Sequence, residues 1–172
     1  MTHSPSEEIF PIVDEEGNTI GKAPRSVCHN GKSMLLHPVV HLHFYNLSGD
    51  LFLQKRSMSK DIQPGKWDTS VGGHISPEET IEAALFREAN EELGIEGFKP
   101  TFLGKYVWKS SREKELVNSF STTSDKIPEI NEDEIEEGRF WTIQEIKTQL
   151  GKNIFTPNFE YEFTMLFTKG SP

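Results

Sequence analysis

The apolar residues of this chain fall in runs only a few residues long, spaced as strands in most places and as helices in a few. Val39–Asn46 and Leu51–Lys55 have the residue types of strands, with Leu47-Ser48-Gly49-Asp50 between them as a compact hairpin loop. Upstream, Glu8–Ala23 reads as two short strands about an Asp-Glu-Glu-Gly-Asn turn. Pro64-Gly65 marks another turn, and Phe102–Lys109, Leu116–Thr122 and Arg139–Trp141 are further strands. The strongest helix signal begins at Ser76-Pro77-Glu78-Glu79. Ser76 suits an N-cap, Pro77 the first helical position and Glu79 the third, so a capping box predicts a helix over about 77–93, stopped by Gly94. Thr142-Ile143-Gln144-Glu145 is a second capping box, opening a short helix that Gly151 closes. Thr156-Pro157 opens a last helix, in which Phe155, Phe159, Phe163 and Phe167 recur every four residues. Strands interleaved with a few helices predict an α/β or α+β sandwich.

Length and charge narrow the class. A chain of 172 residues is expected to form one domain. At that size it buries roughly 68–70% of its unfolded surface and needs no disulfide or structural metal to fold. Cys28 is the only cysteine, which excludes an intramolecular disulfide and fits a reducing cytoplasm. The net charge of −9 argues against sequence-independent binding of nucleic acid, which needs a basic surface. No apolar run approaches the ~20 residues that span a bilayer, and MTHSPSEEIF has no secretion-signal pattern. The expectation is a cytoplasmic protein whose partner is a small molecule, not a nucleic-acid polymer or a membrane.

The chemistry concentrates in residues 73–95. Gly73 is followed after five residues by Glu79, and after seven more by Arg87-Glu88-Ala89-Asn90-Glu91-Glu92-Leu93-Gly94-Ile95. On a helix, Glu88, Glu91 and Glu92 fall within an arc of about 100°, while Ile81, Leu85 and Ala89 form the neighbouring apolar stripe. Three carboxylates on adjacent turns repel one another, and a hard divalent cation removes the conflict. Oxygen ligands suit Mg²⁺ or Mn²⁺, ions that commonly meet substrate phosphates.

This spacing resembles the Nudix box in all of its fixed positions. The resemblance implies a Nudix α/β/α sandwich around a central mixed sheet, covering 1–172 as a single domain with its core at about 36–165 and N-terminal strands at about 8–23. It implies that Glu88, Glu91 and Glu92 ligate the metal with help from the Gly73 carbonyl. Arg87 would orient the carboxylates, and Glu79 would hold the loop–helix–loop or assist at the metal. The implied activity is divalent-metal-dependent hydrolysis of a diphosphate linkage in a small metabolite, such as a nucleoside diphosphate derivative. Metal ions would neutralise the diphosphate and acidify a bound water, whose proton a carboxylate removes.

Further residues resemble the isopentenyl-diphosphate isomerase branch: Leu36-His37, Asn46, Gly49, Lys55-Arg56, Ser59-Lys60, Pro64-Gly65-Lys66-Trp67 and Gly73-His74. The isomerases place a catalytic cysteine directly before that Gly-His, where this chain has Gly72. They also keep only part of the box carboxylates. Protonating a carbon needs the thiol, and activating water needs the carboxylates, so both departures favour hydrolysis. The isomerase activity, or a non-catalytic module that senses a nucleotide, is the alternative. By the same resemblance Glu115 matches a metal-binding glutamate and is a candidate base, with a strand-edge surface glutamate as the plainer reading. Arg56 and Lys60 match diphosphate contacts, His37 and His74 match a metal site, and His74 is also a candidate substrate contact beside Arg56 and Lys60.

His37, His41 and His43 share one parity of a strand, which places them on one face with His74 entering from a loop. Polar packing on that face is the plainer reading and a second metal the other. Trp67 reads as a core aromatic, and Glu129–Glu137, with six acidic residues in nine, as a solvated loop. The Phe155–Phe167 stripe reads as core, with a homodimer interface as the alternative.

Overall fold

In the computed structural model, which describes residues 7–168, the organising strand is β3 (Leu36–Tyr45). It pairs in parallel with β8 (Lys114–Thr123) from Leu36↔Lys114 to Tyr45↔Thr123, and antiparallel with β6 (Val71–His74) from Val39↔His74 to Leu42↔Val71. β7 (Thr101–Lys109) lines the far side of β8. β4 (Leu51–Arg56) joins β5 (Trp67–Asp68) and β9 (Ile135–Trp141), completing a mixed seven-stranded sheet. The predicted 39–55 hairpin turns where expected, but only Tyr45↔Leu51 pairs across it. Beyond that pair β4 leaves β3 for β9, and β6 takes the place beside β3. A separate two-stranded sheet, β1 (Ile9–Val13) and β2 (Thr19–Pro24), runs into a single turn of helix, α1 (Arg25–Cys28).

The period of two along β3 divides its side chains between two layers. Val40, Leu42 and Phe44 join Ala84, Leu85, Ala89 and Leu93 of α2 (Ile81–Leu93) in the larger core. On β4, Phe52 faces this layer, while Leu51 and Leu53 pack with α3 (Ile143–Gln149) and α4 (Pro157–Thr168) on the other. The phenylalanine stripe of α4 is core: Phe155, Phe159 and Phe163 are buried within this second layer. Trp67 packs against the same cluster, edge-on to Trp141 at 5.2 Å. No helix among the described residues is long and apolar enough to cross a membrane.

The capping box at Thr142 forms as predicted. The one at Ser76 does not open a helix, because Glu78 adopts a left-handed φ of 68° and breaks the run. Residues 76–79 instead make a turn: Glu79 N–H donates to the Ser76 carbonyl, and Ser76 N–H to the Glu79 carboxylate at 3.0 Å. That carboxylate is engaged by Arg87, which fixes the turn beneath the helix start. The helix therefore begins four residues later, with Thr80 accepting from Ala83 N–H at 3.1 Å. Gly94 stops it as predicted, in the left-handed conformation (φ 64°) with its N–H on the Asn90 carbonyl. The acidic 129–137 segment is tied to this helix end, since Glu129 and Asn131 donate their N–H groups to the Leu93 and Glu92 carbonyls.

Candidate active site

Arg87 is the hub of the box. Its guanidinium donates to both Glu79 oxygens (2.8 and 2.9 Å), to Glu88 at 2.8 Å, to the His74 carbonyl at 3.0 Å and to Glu91 at 3.4 Å. One cation thereby joins α2 to the loop below it and fixes Glu88. The β6 backbone lies hard against that carboxylate: a Cβ on Gly73 would sit 2.2 Å from Glu88 Cδ. Gln54, from β4, donates to Glu92 Oε1 at 2.8 Å, while Glu92 Oε2 is buried without a partner.

Burial raises the Glu88 carboxyl against the pull of Arg87, and raises that of buried Glu92 well above the usual range, with repulsion from Glu88 adding to it. Two crowded carboxylates and an orphaned oxygen fit a hard divalent cation. Glu88, Glu91 and Glu92 line one cavity of about 550 Å³ with Gly73, Arg56 and Lys60. Arg56 is already engaged there, with Asp68 at 3.4 Å and the Ile62 carbonyl at 3.0 Å.

The structure also builds a second cluster. His37 from β3 and His74 from β6 meet His29, which follows α1, and Glu113, which precedes β8. Their four ligand atoms lie within 4.8 Å of one another. His29 Nε2, His37 Nε2, His74 Nε2 and Glu113 Oε2 are all buried without an aligned hydrogen bond, although His29 and Glu113 approach to 2.6 Å. Phe10 of β1 covers the cluster, stacked on His74 at 4.2 Å between ring centroids and on His37 at 5.4 Å. Burial and the neighbouring His37 push the His74 pKa well down, which leaves a neutral imidazole. Burial would raise the Glu113 carboxyl, but its approach to His29 and His37 holds it well below the usual range. Three imidazoles and a carboxylate converging on one point fit a transition metal better than Mg²⁺.

Of the residues expected on one histidine face, only His37 joins this cluster. His41 and His43 turn to Glu162 of α4. His74, expected as a substrate contact, borders the cleft but aims Nε2 into the cluster. Glu115 lies in the adjoining lobe with Trp108 and Asn158, where burial and repulsion from Glu113 push its pKa up to about 7. Sequence reasoning missed His29, Glu113 and Gln54. Neither His29 nor Glu113 carried a local signal, since His29 follows α1 and Glu113 precedes β8, outside the strands whose period could place them.

An acidic helix face, an arginine that spans it and a glycine backbone pressed on a carboxylate, all on a mixed sheet between helices, define the site of a Nudix protein. Residues 35–160 match the NUDIX domain, and the chain belongs to that family. It is 32% identical to Isopentenyl-diphosphate Delta-isomerase 1 of Photorhabdus laumondii over 161 residues, 88% of this chain and 90% of the relative. It is 29% identical to an uncharacterised Nudix hydrolase of Pseudomonas aeruginosa over 133 residues, 77% and 78% of the two chains. In fold it is similar to a crystal structure from Deinococcus radiodurans with a TM-score of 0.79, covering 93% of this chain and 99% of that one at 23% identity.

Proposed function

We propose that this chain is a divalent-metal-dependent hydrolase that cleaves a diphosphate linkage in a small phosphorylated metabolite, in the cytoplasm. The observation that carries the reading is the complete carboxylate set, Glu88, Glu91 and Glu92, at a cleft whose wall has Gly72 where an isomerase needs a thiol. Cys28 gives no substitute, because it is fully buried among Phe10, Ile12 and Ala23. A bound Mg²⁺ or Mn²⁺ supplies charge neutralisation and a water of lowered pKa. The protein's share is positional. Arg87, anchored by Glu79, holds Glu88; Gln54 holds Glu92; Arg56 and Lys60 flank the anionic substrate. Glu115, which lines the adjoining lobe of the cleft, is the base assigned to the proton of the attacking water.

The cluster of His29, His37, His74 and Glu113 supports a second metal and gives weight to one competing reading. A histidine-bound metal beside Glu115 suits isomerisation of a prenyl diphosphate as well, and the Photorhabdus relative carries that name. One experiment separates the two. A panel of nucleoside diphosphate derivatives, sugar nucleotides and prenyl diphosphates is incubated with Mg²⁺ or Mn²⁺, and isopentenyl diphosphate is also incubated in deuterated water. The proposal expects a phosphorylated product from at least one substrate, abolished by EDTA, and no deuterium in dimethylallyl diphosphate. Deuterium incorporation, or full turnover in EDTA, overturns it.

A further inference from the structure

Beneath the cleft, α4 contributes a carboxylate that the reaction above does not use. Glu162 is 0% exposed, and its oxygens meet two imidazoles from one face of β3. Oε2 lies 2.7 Å from His41 Nδ1, and Oε1 lies 3.1 Å from His43 Nε2. A carboxylate removed from water persists as an anion only beside a compensating positive charge. Among the described residues these two imidazoles are its ion-pair partners. Burial would raise the Glu162 carboxyl, yet the histidines hold it well below the usual range. Burial would lower the His41 pKa, yet Glu162 drives it to about 9.

His41 is buried at 8% exposure, yet its ring contributes to the cleft wall. Its Nδ1 is committed to Glu162, which leaves Nε2 as the free nitrogen. The ring borders both lobes of the cleft, the one holding Glu88 and Glu92 and the one holding Glu115 and Trp108. The residue across the strand pair is Gly72, where a Cβ would stand 3.5 Å from His41 Cδ2 and 3.8 Å from Nε2. The glycine at position 72 therefore leaves free the space beside the imidazole edge that any larger side chain would take up. A pair buried only for packing has no need of an edge at the junction of two lobes, and apolar residues of similar size would fill the space at less cost.

We propose that His41 contacts the substrate directly, donating Nε2–H to a phosphoryl oxygen of the diphosphate, with Glu162 as the positioning residue that fixes the ring. This deepens the hydrolase reading and rests on its diphosphate chemistry, though not on turnover. The probe is imidodiphosphate with Mg²⁺, a diphosphate mimic bridged by nitrogen, followed by calorimetry and by ¹⁵N resonances of the histidine rings. The expected result is binding to the wild-type protein that displaces the His41 Nε2 resonance. His41→Gln should weaken probe binding about 10- to 100-fold, the range for loss of one charge-assisted hydrogen bond. Glu162→Gln should weaken it in the same direction and by less, because the ring remains but is no longer held. Mg²⁺ affinity measured without the probe should be unchanged in both variants, which a general loss of structure would not allow.

Unchanged probe affinity in His41→Gln, an unmoved Nε2 resonance or absence of probe binding each overturns the proposal. Should both variants fail to fold, the wild-type titration alone decides. Binding that moves Nε2 without cleavage of any diphosphate sinks the hydrolase reading and leaves His41 as a diphosphate contact. Cleavage indifferent to His41→Gln does the reverse.

Discussion

Gly73→Ala tests the box without touching any of its carboxylates. The added methyl would stand 2.2 Å from Glu88 Cδ, 2.4 Å from Cγ and 2.5 Å from Oε2, so Glu88 must leave its position. The obstacle is one flexible side chain, so the fold should lose no more than about 1 kcal/mol. The site loses more, because rotating Glu88 out breaks its 2.8 Å contact with Arg87 and removes a carboxylate from the cation. A unit charge pair at ~4 Å in an effective dielectric of ~20 is worth about 4 kcal/mol, or about three decades of affinity. Water entering the vacated position returns part of that, leaving about one to two decades. Mg²⁺ titrations of turnover measure the shift, and urea denaturation measures the stability. Gly138→Ala is the opposite control, since its methyl would meet Phe52 Cζ at 2.5 Å and Ile130 Cγ2 at 2.6 Å in the core. It should cost about 1–3 kcal/mol and leave the Mg²⁺ requirement alone. Wild-type metal affinity in folded Gly73→Ala would refute the assignment of Glu88 as a ligand.

Glu92→Gln should lower kcat by orders of magnitude with little change in KM, read from steady-state kinetics on whichever substrate the panel identifies. Thr80→Ala should cost about 1 kcal/mol in thermal or urea unfolding, as the loss of a helix cap does, and Ser76→Ala clearly less, since Ser76 takes part through its backbone. His41 has a folded pKa of about 9 against an ordinary 6.5, so its contribution to stability is complete below pH 6.5 and disappears as pH rises through 9. Denaturation at a series of pH values should show a fall of up to about 3 kcal/mol across that window, absent from folded His41→Gln.

The box helix was legible because its chemistry and its period coincide: the carboxylates share one face and Leu85 and Ala89 of the expected apolar stripe are buried beside them, whereas Ile81, at the first turn of that stripe, stays exposed. Its start was misread because Ser76 and Glu79 form half of a capping box in a turn, and only the left-handed Glu78 separates that turn from a helix. β5 and β6, of two and four residues, are too short to show a period, yet β6 carries Gly73 and His74 to the site. The histidine cluster was half legible. His37 and His74 stood out through resemblance, whereas His29 and Glu113 meet them through the parallel register of β3 with β8 and the turn of α1, which local pattern does not encode. Shared parity placed His41 and His43 on the face of His37 but gave no sign of Glu162, about 120 residues away in sequence.

The cover over the histidine cluster has a practical consequence for anyone trimming this protein. The family match spans 35–160, and a fragment cut to it keeps every carboxylate of the box. It discards Phe10, Arg25 and His29, and with them one of four donor atoms and the ring that walls the cluster from solvent, and at the other end it cuts α4 and loses core Phe163 and the Glu162 partner of His41. Such a fragment offers the three remaining donors to bulk water as an open chelating face. It would take up metals indiscriminately from buffer or affinity resin, and its activity would report that contamination as much as its own chemistry.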